Sequence, residues 1–476
     1  MKEGSLIGAF KEELGFAPTE GQSLLFKSLE NLVWKRSTKE LLIIRGYAGT
    51  GKTSALAAFV KVLKQHRLKF NLLAPTGRAA QVFSQKSDEE AFTIHKQIYR
   101  RKSKVDISAG LGLMPNFYSN SIFIVDEASM IGDFSAQVRG NSDERNLLDD
   151  LIEFVYSGSN CGLILMGDDG QLPPVGSDYS PALSKAYMER SYPAISISEI
   201  ELNEVLRQAN DSEILKNATL LRNEVWKDYP RFKLVDPSDF VRLNGNSLQE
   251  CLEESYRTQG QEGTILITRS NKQANRYNQQ IRNRILWYED NLCAGDYLMV
   301  VKNNYYWIGE DSKIGFIANG EIVRIVRIMK RMELHGFEFA RVLVEFVNYK
   351  AQGEVELIIH IESLGVEGPS LSHERMKELF YSVESDYGHI RTKKKRYEAI
   401  FKDPYFNALQ VKYAYAVTCH KSQGGQWSDV FIDQGYVSKD MMGKDYYRWL
   451  YTAMTRASRM VYLVNFTDDY FEDEII

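Results

Sequence analysis

Short apolar runs alternate with amphipathic stretches along the first 200 residues of the chain. The runs LLIIR, FNLLAP, IFIV and GLILM predict buried strands, and SALAAFVKVLKQH, GRAAQVF and LLDDLIEFVY predict the helices between them. This alternation is typical of a parallel sheet with crossover helices. A second set begins near residue 200, with a strand at ILITR, a helix after it and late strands at VFID and MVYLVNF. The chain is therefore predicted to hold two α/β units.

The pattern changes between residues 296 and 362. Here DYLMVV, EIVRIVRI, FARVLVEFVNY and EVELIIHI are β-rich runs broken by Gly and Asn turns, which predicts a small antiparallel barrel or sheet. Residues 370–402 then predict helices and end in RTKKKRYEAIFK, a run with six basic residues and one acidic residue. That run either follows a phosphate backbone or forms a solvated helix face. We interpret 296–405 as an insertion that splits the second α/β unit.

Composition excludes several classes of protein. The 476 residues are 44% hydrophobic and 26% charged, which is ordinary globular usage and disfavours disordered, collagen-like and coiled-coil chains. The formal charge is -4, so a polyanion would have to be held by local basic patches. The four cysteines form no CxxC pair, which argues against a zinc site or a disulfide framework and predicts a cytosolic setting. No apolar run reaches the roughly 18 residues of a membrane span, and the start lacks a signal peptide.

The strongest chemical signal is GYAGTGKT, which directly follows the strand LLIIR and directly precedes a helix. Backbone N–H groups of such a loop cradle phosphates at a helix N-terminus. Lys52 is placed to reach the β- and γ-phosphates, and the hydroxyl of Thr53 is placed to bind Mg²⁺. The sequence therefore predicts a nucleotide triphosphate site, with a Gly-rich turn and an exposed lysine as the plain alternative.

Further polar residues follow other strands. Asp126 and Glu127 follow IFIV, where they suit the Mg²⁺ shell and the activation of the attacking water. Gln171, in GDDGQLPPV, lies beyond the strand GLILM, where ligands bind in α/β sheets. A second α/β unit can supply an arginine to the γ-phosphate, and the candidates are Arg207 in NEVLRQ and Arg456 in YTAMTRAS. Each of these residues taken alone is also compatible with a surface role.

Taken together, the motifs resemble those of superfamily 1B helicases of the RecD and Dda type. The matches run in family order over most of the chain: PTEGQ, GYAGTGKT, APTGRAA, TIH, DEAS, GDDGQLPPV, EVLRQ, NGE, VTCHKSQGGQW and YTAMTRAS. Ten motifs in order are specific, although any single one except GYAGTGKT is not. The resemblance implies an ATP-dependent 5′-to-3′ DNA helicase with two RecA-like domains, dependent on ATP and Mg²⁺ and acting on single-stranded DNA and its junctions with duplex.

The resemblance also implies a role for each matched residue. Gln22 would read the adenine, and Gln171, Arg207, Gln423 and Arg456 would sense or stabilise the γ-phosphate. The phosphates and the metal would be handled by Gly46, Ala48, Gly49, Thr50, Gly51, Lys52, Thr53, Asp126 and Glu127. The strand-binding face would be formed by Pro75, Thr76, Arg78, His95, His420 and Lys421. Both histidines have an equally good interpretation as surface or capping residues.

The resemblance further implies a domain plan. Residues 1–197 would form the first RecA-like domain, with a small insertion at about 102–121 that carries a strand-separating pin. Residues 198–295 and 406–476 would form the second, and 296–405 would be the SH3-like accessory insertion. Phe117 and Tyr118 are the candidates for the wedge, since aromatic rings stack on bases, although a loop aromatic often packs down instead. The segment 131–146 is longer than is usual for the family, and no role is predicted for it.

Two other functions fit part of the sequence. A nucleotide switch or GTPase is suggested by Asn271 and Lys272, but Ala274 stands where a guanine-reading Asp is needed, and DEAS replaces the switch motif DxxG. A scaffold that binds a partner protein through the β-rich insertion or the acidic tail TDDYFEDEII is the other alternative. We expect a monomer that is associated with DNA and not with a membrane.

Overall fold

The structure, a computed structural model, describes residues 6–34, 39–101, 111–133, 146–204, 212–223, 231–234, 239–308, 315–349 and 352–472. Some of the predicted features lie outside these ranges. They are Arg207, residues 102–110 of the predicted pin, residues 134–145 of the long segment and the last four residues of the acidic tail.

The first domain is built on a six-stranded sheet. Its helices are α1 Leu6–Leu14, α2 Glu20–Trp34, α3 Lys52–Gln65, α4 Gly77–Ser87, α5 Ile94–Ile98, α6 Leu147–Ser157 and α7 Lys185–Ser191. The strands are β1 Glu40–Gly46, β2 Lys69–Ala74, β3 Ala91–Thr93, β4 Tyr99–Arg101, β5 Leu111–Leu113, β6 Ser121–Val125, β7 Gly162–Gly167 and β8 Ser196–Leu202. The sheet order is β3-β2-β6-β7-β1-β8 with every pair parallel, while β4 and β5 form a separate antiparallel ribbon.

Burial explains why these runs form a parallel sheet. The side chains of Leu41 to Ile44 in β1 are fully buried, and they alternate between two apolar cores on opposite faces of the sheet. One core is completed by α1 to α4 and the other by α6. A strand that is covered on both faces carries apolar side chains at successive positions, and the sequences of these strands show this pattern.

The second domain is interrupted by a barrel. The chain enters it through α8 Glu213–Asn223, β9 Phe240–Leu243, α9 Leu248–Gly263, β10 Thr264–Thr268 and α10 Asn271–Gln280. It then forms β11 Tyr297–Val300, β12 Ile322–Leu334, β13 Phe337–Phe346, β14 Glu354–His360, α11 His373–Asp386, α12 Lys393–Phe401 and β15 Leu409–Tyr413. It returns through β16 Ala416–Thr418, α13 Cys419–Ser422, β17 Trp427–Asp433, α14 Lys444–Met454 and β18 Ala457–Val464.

The second sheet and the barrel are distinct units. The sheet order is β16-β10-β17-β18-β9, and every neighbouring pair is parallel. Strands β11 to β15 close into a barrel in which all pairs but β14 and β15 are antiparallel. The predicted fold class, two parallel-sheet domains with a small β-rich insertion and a helical extension, is confirmed.

Two strands lie on the far side of the predicted domain boundaries. Strand β8 starts next to the boundary at 197 and pairs with β1 along its whole length, because its alternating side chains cover the edge of the first sheet. Strand β15 starts after the boundary at 405 and closes the barrel against β11. In the described part of the chain, no helix is long and apolar enough to cross a bilayer.

The helical extension covers one end of the barrel. Leu379 and Val383 of α11 and Ile400 of α12 pack with Phe337 and Phe339 of β13. The opposite face of α12 carries the basic run, in which residues 391–395 are exposed while Arg396 bonds to Glu384 of α11. The basic run is therefore a solvated helix face in this structure, and its positive charges lie at the protein surface.

Candidate functional site

The loop GYAGTGKT connects the first strand to the helix that follows it. Strand β1 ends at Gly46 and α3 begins at Lys52, so the loop lies at the carboxyl edge of a parallel sheet. Gly49 and Gly51 have φ angles of 80° and 76°, which residues with a Cβ rarely adopt. These turns direct backbone N–H groups of the loop and of the α3 N-terminus to one side, which is the arrangement that binds phosphate.

The loop forms one wall of a cleft of about 560 Å³ between the two α/β domains. Of the residues predicted to handle nucleotide, those that line the cleft are Ala48, Gly49, Gly51, Lys52, Thr53, Asp126, Glu127, Gln171 and Arg456. Gly46 and Thr50 support the loop instead, since the carbonyl of Gly46 accepts from Lys52 and the Thr50 hydroxyl donates to the Tyr47 carbonyl. The structure thus brings motifs from distant parts of the chain to one cavity.

Lys52 is held at the mouth of this loop. Its ammonium donates to the carbonyls of Gly46 at 2.6 Å and Tyr47 at 2.8 Å, and it lies 3.9 Å from a carboxylate oxygen of Asp168. Asp168 follows β7, is 1% exposed and has its pKa raised by burial, against the attraction of Lys52. Lys52 therefore stands between the loop and the end of the neighbouring strand.

Asp126 and Glu127 follow β6 of the same sheet and lie on the same side of the cleft as the loop. The backbone N–H of Glu127 donates to a carboxylate oxygen of Asp126 at 2.7 Å, and Glu127 has a left-handed φ of 52°, which turns its side chain away from the strand direction. Burial, and after it the charge of Glu127, raise the pKa of Asp126 to about 6. A divalent cation beside Asp126 would favour the ionised form. The pair therefore has the character of a metal-binding carboxylate with a second carboxylate beside it.

The second domain contributes Arg456, which follows α14. Its guanidinium is 3.5 Å from the carboxylate of Glu127 and 3.3 Å from the carbonyl of Gly425, and its Nε donates to the carbonyl of Thr452. The side chain is almost fully buried. An arginine from one domain therefore reaches the acidic pair of the other across the cleft.

The three predicted glutamines differ in position. Gln171 lines the cleft, is 5% exposed, and its side-chain oxygen has no hydrogen-bond partner among the described residues. Gln22 and Gln423 do not line the cleft. The Gln22 oxygen accepts from the N–H of Thr19, and Gln423 donates to the carbonyl of Leu172 at 2.7 Å. Gln171 therefore faces the cleft, while the other two support neighbouring loops.

Sequence reasoning missed three polar contributors to the cleft. Lys86, in the last turn of α4, lines it, and burial lowers the pKa of its ammonium although Asp126 and Glu127 act in the opposite sense. Tyr47 lines the cleft and is covered by the guanidinium of Arg222, whose central carbon is 4.0 Å from the ring centroid. The third, Tyr451, bonds to the loop itself. Only Tyr47 and Tyr451 had a signal, since both lie inside recognised motifs.

The predicted strand-binding residues of the first domain lie where the two domains meet. Pro75 and Thr76 follow β2, and the Thr76 hydroxyl caps α4 by accepting from the N–H of Ala79. The guanidinium of Arg78 lies 3.9 Å from the ring centroid of Trp427 and donates to the carbonyl of Gln426. Burial lowers the pKa of Arg78 to about 10. These residues are thus engaged with the second domain and lie beside its predicted strand-binding motif.

The remaining predicted strand-binding residues occupy two short helices. His95 is in α5, with its ring centroid 5.4 Å from that of Tyr99, and burial lowers its pKa to about 4. His420 and Lys421 are in α13, and burial lowers the pKa of each. His95 is therefore neutral near pH 7.

The two wedge candidates have different surroundings. The Tyr118 hydroxyl accepts from the side-chain amide of Gln97 at 2.9 Å, and its ring meets Phe123 edge-on. Phe117 is 87% exposed. Tyr118 therefore packs down on the first domain, whereas the ring of Phe117 is free to contact another molecule.

The fold and the cleft define a P-loop nucleotide-binding protein with two RecA-like domains. The model of an AAA domain matches residues 33–242, and that of a UvrD-like helicase C-terminal domain matches residues 413–464. The first of these covers the loop and the acidic pair, and the second covers Arg456. Together they confirm the resemblance of this chain to superfamily 1B helicases.

The chain is also similar to individual proteins. An uncharacterized protein of Acanthamoeba polyphaga mimivirus is 23% identical, over 89% of this chain and 95% of that protein. The ATP-dependent RecD2 DNA helicase of Deinococcus radiodurans is 29% identical over 199 residues, which are 40% of this chain and 23% of the relative. A crystal structure of the Pif1 helicase from Bacteroides in complex with ADP-AlF3 and ssDNA aligns with a TM-score of 0.48 at 14% identity, covering 96% of this chain and 95% of that one.

Proposed function

We propose that this chain is an ATP-dependent DNA helicase that moves 5′ to 3′ along single-stranded DNA. The observation that carries the proposal is the position of Arg456, which reaches Glu127 from the opposite wall of a cleft lined by Lys52, Thr53 and Asp126. A nucleotide cleft completed by an arginine from a second domain couples hydrolysis to the relative position of the two domains.

The cleft residues suit Mg²⁺ and ATP. The described residues hold no group of three His, Cys, Asp or Glu side chains that could bind a metal alone. This fits Mg²⁺, which is bound in such sites through one or two protein oxygens together with substrate phosphates. We assign that role to Thr53 and Asp126, and the charge of the ion offsets that of the β- and γ-phosphates. Lys52 and the loop N–H groups bind the same phosphates.

Hydrolysis then needs a positioned water and positive charge on the γ-phosphate. Glu127 orients and deprotonates the water, while Arg456 and the amide of Gln171 stabilise the charge that develops on the phosphate oxygens. Because Arg456 belongs to the second domain, cleavage weakens its attraction to the first, and the cleft opens. We assign Arg207 a supporting role at the γ-phosphate, and Gln22 and Gln423 supporting roles at the edge of the site.

Movement requires that cleft opening change the grip on a strand. Thr76 and Arg78 contact the loop that follows His420 and Lys421, so opening the cleft displaces the two halves of the proposed strand-binding face. With Pro75 and His95 on the same side, this face would hold the phosphates of single-stranded DNA. Phe117, which is exposed, is the better wedge candidate.

The test is unwinding of two tailed duplexes, one with a 5′ single-stranded tail and one with a 3′ tail. We expect ATP-dependent unwinding of the 5′-tailed duplex only, and none by Lys52→Ala. Unwinding of only the 3′-tailed duplex would contradict the polarity. ATP hydrolysis without unwinding of either would favour a nucleotide switch or an ATPase that a partner protein activates through the barrel or the acidic tail. Light scattering at the same concentration tests the proposed monomer.

A further inference from the structure

We propose that Tyr451 is a positioning residue that ties the nucleotide loop of the first domain to the helix that directly precedes Arg456. It lies in the last turn of α14 in the second domain. The proposal rests on the proposed ATPase function and deepens it, because it names the contact by which the second domain follows the state of the loop.

The hydroxyl of Tyr451 bonds to the first domain twice. It accepts from the backbone N–H of Ala48 at 2.8 Å, and it donates to a carboxylate oxygen of Asp168 at 2.7 Å. Ala48 belongs to the loop GYAGTGKT, and Asp168 lies 3.9 Å from Lys52. The hydroxyl oxygen of Tyr451 is therefore hydrogen-bonded both to the loop that holds Lys52 and to Asp168 beside it.

The chemistry of the hydroxyl fixes its direction. A phenol has one hydrogen to donate and lone pairs to accept, and here the hydrogen goes to Asp168 and a lone pair to Ala48. Burial, and then the charge of Asp168, raise the pKa of Tyr451 well above its ordinary value, so the hydroxyl keeps its hydrogen near neutral pH. Asp168 in turn accepts from the N–H of Gly170, in the loop that leads to Gln171.

The last turn of the same helix also bonds to Arg456, which follows it. Thr452, next to Tyr451, accepts from the N–H of Leu172 at 2.8 Å through its hydroxyl and from Arg456 Nε at 3.1 Å through its carbonyl. A displacement of the loop or of Asp168 is therefore passed through Tyr451 to the turn that sets the position of Arg456 relative to Glu127.

Packing alone does not account for a hydroxyl at this position. Tyr451 is 3% exposed, and a phenyl ring without the oxygen would fill nearly the same volume. A buried hydroxyl costs free energy unless it is hydrogen-bonded, and both of its bonds here cross the cleft. The approach is close, because a Cβ on Gly170 would lie 3.3 Å from the rings of both Tyr451 and Tyr47.

The first test is amide exchange of the intact protein without nucleotide, compared between wild type and Tyr451→Phe. Loss of one hydrogen bond should speed exchange at Ala48 by about five- to tenfold. The matched control is Tyr446→Phe in the same helix, a buried tyrosine whose hydroxyl bonds to Gln434 and Tyr470 within its own domain. We expect no change at Ala48 in that variant, and unchanged exchange in Tyr451→Phe would overturn the contact.

The second test asks whether Tyr451 acts through Arg456. Tyr451→Phe should lower kcat for ATP hydrolysis about tenfold and change KM less than about twofold, because alignment is lost and binding is retained. In an Arg456→Ala background the same substitution should cost less than about twofold, since residues that act as a unit are not additive. Tyr446→Phe should leave kcat unchanged.

The outcomes separate this proposal from the one on which it rests. Active wild type with an unaffected Tyr451→Phe would overturn the coupling alone, as would a full tenfold loss in the Arg456→Ala background. Wild type without ATP hydrolysis would overturn the proposed function and the coupling together.

Discussion

Two of the places where the first domain meets the rest of the chain each hold a carboxyl group with a raised pKa. In the nucleotide cleft, Asp126, with a pKa raised to about 6, lines about 560 Å³ of open volume. At the barrel, Glu321, with a pKa raised to about 7, is 1% exposed and packs on Gly77 of α4. The polar groups of the cleft border open volume that a ligand can enter, whereas Glu321 packs directly against the start of α4.

At the barrel contact, Glu321 and Gly77 pack closely against each other. A Cβ on Gly77 would lie 1.6 Å from a carboxylate oxygen of Glu321, whose other oxygen accepts from the amide of Asn348 at 3.2 Å. Gly77 lies between Thr76 and Arg78, so the barrel covers the start of the proposed strand-binding face. The cleft is therefore the contact suited to open and close, while the barrel packs on the start of α4.

The largest effect should come from Lys52→Ala, which removes the cation at the mouth of the phosphate loop. ATP hydrolysis should fall to the background rate, because the phosphates lose both their position and their charge partner. Steady-state phosphate release measures this. The control is Lys61→Ala in the same helix α3, whose side chain is half exposed and paired with Glu13, and its rate should match wild type.

Arg456→Ala should lower turnover on the order of 10³-fold while leaving ATP binding nearly unchanged, because its charge acts mainly in the transition state. Fluorescent-nucleotide titration and single-turnover hydrolysis separate the two quantities. Arg459→Ala, three residues later and bonded to Asp429 within the second domain, is the control. If Arg456→Ala lowers ATP binding and turnover equally, the arginine contributes to binding of ATP in the ground state instead.

Gly77→Ala tests the barrel contact. The added methyl group should lower the free energy of unfolding by about 1–3 kcal/mol, because it overpacks against Glu321. Denaturant-induced unfolding measures this loss. The cost should largely vanish in a Glu321→Ala background, where the clashing atoms are gone. Gly8→Ala in α1, where a Cβ would meet nothing within 4 Å, should not destabilise the protein. If Gly77→Ala destabilises the Glu321→Ala variant as much as the wild type, the loss of stability does not come from a clash with Glu321.

The pH dependence of stability gives a second test of the barrel contact. Because burial raises the pKa of Glu321 from 4.5 to about 7, the folded protein keeps a proton that the unfolded chain releases. Stability should therefore fall as pH rises from about 4.5 to 7, by on the order of 3 kcal/mol, and stay level above that. Thermal unfolding of wild type and Glu321→Gln measures this, and the variant should lack the decline attributable to this residue. Parallel profiles for the two proteins would mean that Glu321 does not titrate in the folded state.

The local part of the site and the candidacy of Arg456 were predictable from the sequence, but the hydrogen bonds that join the two domains were not. Gly49, Gly51 and Lys52 follow from one short motif, because the loop geometry depends on adjacent residues. The bond between Ala48 and Tyr451 joins residues 403 positions apart, and nothing in either motif indicates the other.

Two kinds of residue needed the structure. Lys86 carries no motif, and it lines the cleft only because the last turn of α4 ends beside Asp126. Phe117 and Tyr118 are adjacent aromatics that the sequence does not distinguish, and packing against Phe123 separates them. The fold class was predictable because apolar periodicity is a local signal that both sheets follow.

The central claim is that the cleft drives movement on a strand. The most direct measurement is steady-state ATP hydrolysis at fixed Mg²⁺, with and without single-stranded DNA, at two salt concentrations. We expect strong stimulation by DNA that weakens as salt rises, because phosphate contacts release counterions. A rate that is the same with and without DNA would contradict it.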